Sequence, residues 1–248
     1  MNYKFIHTEV NNHVFTLTLN REAKRNAFTP TTVNEIAHAI EEINERDDIH
    51  LMVLKAAGPV FCAGMDLKTY QNRELDKPNP EIENIEISLG EVMDQLNKPS
   101  IAIVEGDVIA GGFLYIIGCT YVFAKKDLNF RLPEIALGIF PFQVMAGLRR
   151  IMSEKKLLQL CLDPQPFNTD KAIELGLVDD YLNIEKVNVL IESFADKSSF
   201  ALKAGMKSLK AIRNLESSNQ YKYLLASLEE LKDRDEVKQY IADKLNKN

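Results

Sequence analysis

Cysteine is scarce in this sequence, and what there is stands apart. The three thiols, Cys62, Cys119 and Cys161, are odd in number and distant from one another. They make neither a paired framework nor a metal-binding spacing, so buried free thiols in a reducing compartment are the expectation. Positive charge is also short. There are 30 basic residues against 36 acidic ones, a net charge of −6, and no basic face is apparent. Nucleic-acid binding through bulk charge is therefore disfavoured. Long apolar runs are missing as well. The longest, residues 108–119, contains three glycines and is too short to span a bilayer. The opening MNYKFIHTEV lacks the apolar core of a secretory signal. A soluble cytoplasmic protein without membrane association is expected. With 46% hydrophobic residues over 248 positions, the chain can fill one large core, or a core and a small appendage.

What is present reads as alternating strands and helices. Apolar residues alternate with Thr16 and Thr18 over 14–19, which predicts a half-buried strand. Thr29-Pro30 opens a helix whose apolar stripe is Val33, Ile36, Ala37, Ile40 and Ile43. Residues 49–54 form a short apolar strand that runs into a turn at Gly58-Pro59. Residues 88–96 read as a helix with Leu89, Val92, Met93 and Leu96 on one face. Pro99 stops it, and buried strands follow at 101–104 and 121–124. This alternation points to an α/β layered core with largely parallel pairing. From about residue 184 the pattern is helical to the end, with Tyr223, Leu224, Leu228 and Leu231 at helical spacing.

The chemistry concentrates in a few motifs. The segment GDVIAGGFL, residues 106–114, lies between a buried strand and an apolar run that reads as a helix start. Glycines there bring backbone N–H groups to a pocket surface with no side chain in the way. Such groups suit a developing oxyanion. A second glycine turn, GPVFCAGMDL over 58–67, offers another donor. Downstream, Glu134 sits among Leu132, Ile135, Ala136 and Leu137. An apolar setting raises a carboxyl pKa, as a proton shuttle needs. Taken singly these features are ordinary: Ala-Gly-Gly also permits close packing of helix on strand, and most glutamates are surface residues. Two separated glycine turns and one carboxylate together describe a site for enolate chemistry. His7, His13, His38 and His50 lie outside every motif and are assigned no role.

In order and spacing, LNREAKRNAF (19–28), GPVFCAGMDL, GDVIAGGFL, LPEIALG (132–138) and FNTDKAIELGLVDDYL (167–182) resemble the crotonase superfamily, the enoyl-CoA hydratases and isomerases. The resemblance covers residues 10–185 and implies a spiral of ββα turns as the core, residues 1–190. A C-terminal helical region, 191–248, would cover the pocket or meet a neighbouring subunit in a homotrimer or hexamer. It implies a substrate that is an acyl-CoA, or an acyl-carrier-protein thioester, with no metal or redox cofactor and coenzyme A entering only as part of the substrate. By motif position the backbone N–H groups of Met65 and Gly111 form the oxyanion hole, and Glu134 moves the proton. Gly111 is expected to be small so that the thioester can approach. Ala63, Met65, Asp66 and Leu67 would border the adenine pocket, with Asp66 chiefly a turn residue. Lys24 and Arg25 either meet CoA phosphates or form a solvated basic pair. Gly112 and Leu114 would border the substrate, Leu114 as a dry wall of the pocket. The polar stretch 70–87, with two prolines, is expected to be a mobile loop beside it.

Leu114 departs from the hydratase pattern. In the hydratases the residue three after the oxyanion glycine is a second glutamate, and the two carboxylates hold and activate water. Here Gly111 is followed by Gly112, Phe113 and Leu114. The pattern resembles the Δ3,Δ2-enoyl-CoA isomerase branch, which keeps a glutamate at the position of Glu134 and is apolar at that of Leu114. The expected activity is a double-bond shift by proton transfer between C2 and C4. A hydratase, a decarboxylase that uses the oxyanion hole alone, and a non-catalytic acyl-CoA-binding protein are the alternatives.

Overall fold

Strands β1 (Ile6–Asn11) and β2 (Val14–Leu19) form an antiparallel hairpin that opens the computed structural model, which describes residues 1–246. Helix α1 (Pro30–Glu45) begins where Thr29-Pro30 predicts. The Thr32 N–H donates to Thr29 Oγ1, and the Thr29 N–H donates to Thr32 Oγ1 in return. This reciprocal cap satisfies two of the donors that a helix start leaves free.

Three ββα turns follow. The first is β3 (Leu51–Ala56) and β4 (Val60–Cys62), with α2 (Leu67–Gln71) and α3 (Leu89–Gln95). The second is β5 (Ser100–Val104), β6 (Asp107–Ile109) and α4 (Phe113–Gly118). The third is β7 (Tyr121–Ala124), β8 (Asn129–Arg131) and α5 (Phe142–Leu148). The first strand of each turn joins a six-stranded sheet and the second a four-stranded one. After α6 (Glu154–Leu162), strand β9 (Phe167–Asn168) completes the small sheet. Helix α7 (Thr169–Glu174) leads to β10 (Asp180–Tyr181), which completes the large one. The orders are β1-β2-β3-β5-β7-β10 and β4-β6-β8-β9. Among the described residues only the β1–β2 and β8–β9 pairs are antiparallel. The expected α/β spiral with parallel pairing is present.

Both faces of the large sheet are covered, and β5 is accordingly buried at every residue and apolar from Ile101 to Val104. On one face Leu54, Ala102 and Val122 meet α1, α3 and α4 in the main core. On the other, Leu51, Val53, Ile101 and Ile103 pack with Val187 and Phe194. Val187 lies on α8 (Ile184–Glu192), which spans position 190. Helices α9 (Ser199–Ile212), α10 (Ser217–Asp233) and α11 (Asp235–Leu245) follow. Helix α10 leaves Tyr221, Leu225 and Leu228 exposed. Among the described residues no helix is long and apolar enough to cross a membrane.

The stretch 70–87 differs from expectation. Its middle is tied to α1 rather than left free. The Thr31 N–H donates to Asp76 Oδ2 at 2.8 Å, the Ile85 N–H donates to Asn34 Oδ1 at 2.9 Å, and Asn79 Nδ2 donates to Glu35 Oε1 at 2.9 Å. The polar residues Thr31, Asn34 and Glu35 of α1 are buried beneath it. An apolar stripe in sequence marks one buried face of a helix; it carries no sign that the polar face is also buried, under a partner made of polar side chains. Glu35 is the hub. Its carboxylate also accepts the N–H groups of Lys4 and Phe5, at 2.7 and 2.8 Å. Glu35→Ala strands these donors and is expected to cost about 3 kcal/mol in urea unfolding, since each unpaired buried donor costs about 1–3 kcal/mol. A cost below about 1 kcal/mol would show that water replaces the carboxylate freely.

Candidate active site

Three parallel strands of the small sheet carry the site. In order β4-β6-β8, Cys62 pairs with Val108, and Ile109 with Arg131. Met65 follows β4, Gly111 follows β6 and Glu134 follows β8. All three leave the carboxyl edge of one sheet, where ligands of parallel α/β sheets bind.

Met65 is held by a parallel bridge to Phe28. The Phe28 N–H donates to the Gly64 carbonyl and the Asp66 N–H to the Phe28 carbonyl, each at 2.9 Å. The bridge passes over Met65 and leaves its N–H outside the ladder. Gly111 lies in a 3-10 turn, Ala110–Gly112, whose first N–H groups have no acceptor within the turn. Ala110 has φ +53°, a left-handed conformation that costs a non-glycine residue about 1–2 kcal/mol. Gly64, at φ +85°, supplies the opposing surface. A Cβ there would stand 2.7 Å from the Ala110 Cβ and 3.2 Å from the Gly111 nitrogen. The two glycine turns therefore touch, and the donors expected from the motifs are carried on neighbouring loops.

Glu134 is 8% exposed, and its Oε2 has no hydrogen-bond partner. Burial pushes its carboxyl above the ordinary range, only partly offset by its own backbone amide. The Cys161 thiol of α6 is pushed up to about 11, by burial first and by the Glu134 charge second. An unpartnered, desolvated carboxylate at a strand end is suited to take and return a proton. Leu114 is buried, and its Cδ2 faces Gly90 of α3.

A family model described as enoyl-CoA hydratase/isomerase matches residues 9–245. The chain belongs to the enoyl-CoA hydratase/isomerase family. It is 29% identical to a hydroxycinnamoyl-CoA hydratase-lyase of Pseudomonas fluorescens, over 98% of this chain and 94% of that one. It is 24% identical to a peroxisomal Delta(3,5)-Delta(2,4)-dienoyl-CoA isomerase of Arabidopsis thaliana, over 80% of this chain and 78% of that one. The fold matches that of Pseudomonas aeruginosa AtuE, with TM-score 0.86 and 24% identity, over 99% of this chain and 98% of that one.

The remaining residues of this family member fall into two groups. Lys24, Arg25, Met65, Asp66 and Leu67 line one groove of about 370 Å³, and Lys68 joins them. Asp66 is engaged structurally: it pairs with Arg21 at 2.8 Å and caps α2. Burial pushes its carboxyl up, but the Arg21 hydrogen bond and charge bring it below the ordinary range. Ala63 is fixed by its N–H to the Arg25 carbonyl. Gly112 is buried against β4, where a Cβ would meet the Cys62 carbonyl at 2.8 Å. At Gly111 the chain gives a second reason for smallness: a Cβ there would meet the Phe28 ring, Cε1 and Cζ at 2.9 Å, and the ring or the turn would have to shift.

Several residues that build the site were not singled out from the sequence. Asn26 is buried and left-handed; its Nδ2 donates to the Ala57 and Val60 carbonyls at 2.8 Å, and its Oδ1 accepts from Arg21 N–H. The Cys62 thiol donates to the Asn26 carbonyl and accepts from the Gly64 N–H. Asparagine tolerates the left-handed region, which was the one available signal at position 26. Nothing local in the sequence marks the pairing of 28 with 65.

Proposed function

We propose that this protein moves a double bond along an acyl-CoA thioester. Glu134 takes a proton from C2 of a 3-enoyl group and returns it at C4. The Met65 and Gly111 N–H groups hold the charge on the thioester oxygen meanwhile, and each such donor is worth roughly 10²–10³ in rate. The observation that carries this reading is the pairing of one buried, unpartnered carboxylate, Glu134, with leucine at 114. Proton transfer needs one base, whereas the two-carboxylate holding of water needs a second. Hydration is the competing reading, favoured by the hydratase-lyase relative and opposed by Leu114. A panel of 3-enoyl-, 2-enoyl- and malonyl-type CoA thioesters separates them. Consumption of the 3-enoyl ester without hydrated product is expected; hydration of the 2-enoyl ester at equal or higher rate, or decarboxylation of the malonyl type, would overturn it.

The groove beside Met65 supports a role for Lys24, Arg25 and Lys68 in meeting CoA phosphates. Their triple replacement by alanine is expected to raise KM for CoA thioesters by about threefold to tenfold, as loss of exposed charge pairs does. KM for the pantetheine thioester, which lacks those phosphates, should not change. An equal rise for both would remove the groove from the binding site. The exposed apolar face of α10 supports assembly as a homotrimer or hexamer.

A further inference from the structure

We propose that Phe28 is a positioning residue that sets the spacing of the two oxyanion donors. The inference rests on the reading of Met65 and Gly111 as those donors. Phe28 is half-buried and bonded to one donor loop through its backbone, by the two hydrogen bonds that flank Met65. It meets the other through its ring, whose Cε1 and Cζ fence the Gly111 Cα from the side where a Cβ would project. The Gly64 Cα lies 3.9 Å from that same point. One residue therefore touches both halves of the hole.

The ring is braced from behind. Tyr115 of α4 packs edge-on against it, with centroids 6.3 Å apart at 87°. Phe61 of β4 packs edge-on against Tyr115, at 6.4 Å and 82°. Tyr115 is buried and its hydroxyl has no hydrogen-bond partner, so what it contributes here is the aromatic surface. The backbone of Phe28 is equally fixed, between the Asn26 hub and the Thr29 cap of α1. Held on both sides, the ring acts as a spacer between the Met65 loop and the Ala110–Gly112 turn. A change in its size changes the distance between the donors without touching either one.

Compensation between Phe28 and Gly111 tests this. Turnover of a 3-enoyl-CoA thioester is measured for Gly111→Ala, Phe28→Leu and the double variant, with folding followed by circular dichroism. Gly111→Ala pushes the turn off the ring and should lower kcat roughly 10²-fold, the cost of a misplacement near 1 Å, with KM changed less than threefold. Phe28→Leu loosens the spacing and should lower kcat about tenfold, again with KM little changed. In the double variant the methyl fits where the ring edge was, and kcat should return to the level of Phe28→Leu alone. Where Phe28→Leu does not fold, Phe28→Met, with its flexible end, takes its place and should give the same recovery.

Losses that multiply in the double variant would overturn the proposal, as would a Phe28 variant with wild-type kcat. Those outcomes leave the oxyanion hole standing. A folded Gly111→Ala protein with unchanged kcat would instead remove the hole from position 111, and the role of Phe28 with it.

Discussion

Glu134→Gln is expected to lower turnover by roughly 10²–10⁴-fold, the range that a positioned acid–base group supplies, while acyl-CoA still binds. The amide keeps the shape of the carboxylate and loses its basicity. The same substitution has a stability signature with a defined sign. Burial raises the folded-state pKa of Glu134, so the fold favours its neutral form. Its contribution to stability is complete below the ordinary carboxylate range and is lost as pH rises through the raised pKa. At neutral pH the wild type therefore carries a desolvated charge that the variant lacks. The variant should melt at the higher temperature at pH 7, and the two should converge below about pH 4. In the wild type, kcat should rise with pH as the carboxyl ionises, with its midpoint above the ordinary glutamate value. A variant that is fully active would remove Glu134 from the mechanism. One that is inactive but no more stable at pH 7 would place the charge in water.

Leu114→Glu should have the second-largest effect. Leu114 is buried on α4 between Phe113 and Tyr115 in the chain, facing α3 across Gly90. A carboxylate there has no counter-charge designed for it, and the expected loss is about 3–5 kcal/mol in urea unfolding. The substitution also supplies, in sequence, the second carboxylate that the hydratase pattern requires. Hydration of a 2-enoyl-CoA should rise from a low wild-type level, though far from fully, because the groups that would orient water are not built around it. Dry apolar walls favour clean return of the proton to carbon. A variant as stable as wild type, with hydration unchanged, would mean that position 114 opens to solvent away from the pocket.

Much of this architecture was legible in the sequence, for identifiable reasons. The strands at 14–19 and 121–124 fall where alternation and burial place them. The helix over 88–96 is observed as Leu89–Gln95, with Ser88 as its cap. The strand read at 49–54 is shifted to Leu51–Ala56, since Ile49 and His50 precede the first register pair, Val14 with Leu51. The short strands β4, β6 and β8 were not separated as strands. At three residues each they are too brief for a period-two pattern, and two of them lie inside the motifs that identified the chemistry. Yet these strands bring Met65, Gly111 and Glu134 to one edge.

The candidate site was legible as motifs but not as a mechanical assembly. The motif explains glycine at 111 through the substrate, whereas a Cβ there would also meet the Phe28 ring. The stretch 70–87 reads as mobile in sequence because it is polar and proline-bearing, whereas buried polar residues of α1 hold it. In each case the missing information is a contact between residues distant in sequence, 28 with 111 or 35 with 79, which composition and periodicity do not carry.

In the proposed reaction a single carboxyl, Glu134, both removes and returns the proton. A 3-enoyl-CoA labelled with deuterium at C2 tests this directly, with the position of the label in the 2-enoyl product read by NMR in ordinary water. The prediction is that a measurable share of the label reappears at C4, because Glu134 carries it there before exchange with solvent. Complete loss of the label to water in every turnover, or a 3-hydroxyacyl-CoA as the main product, would contradict it.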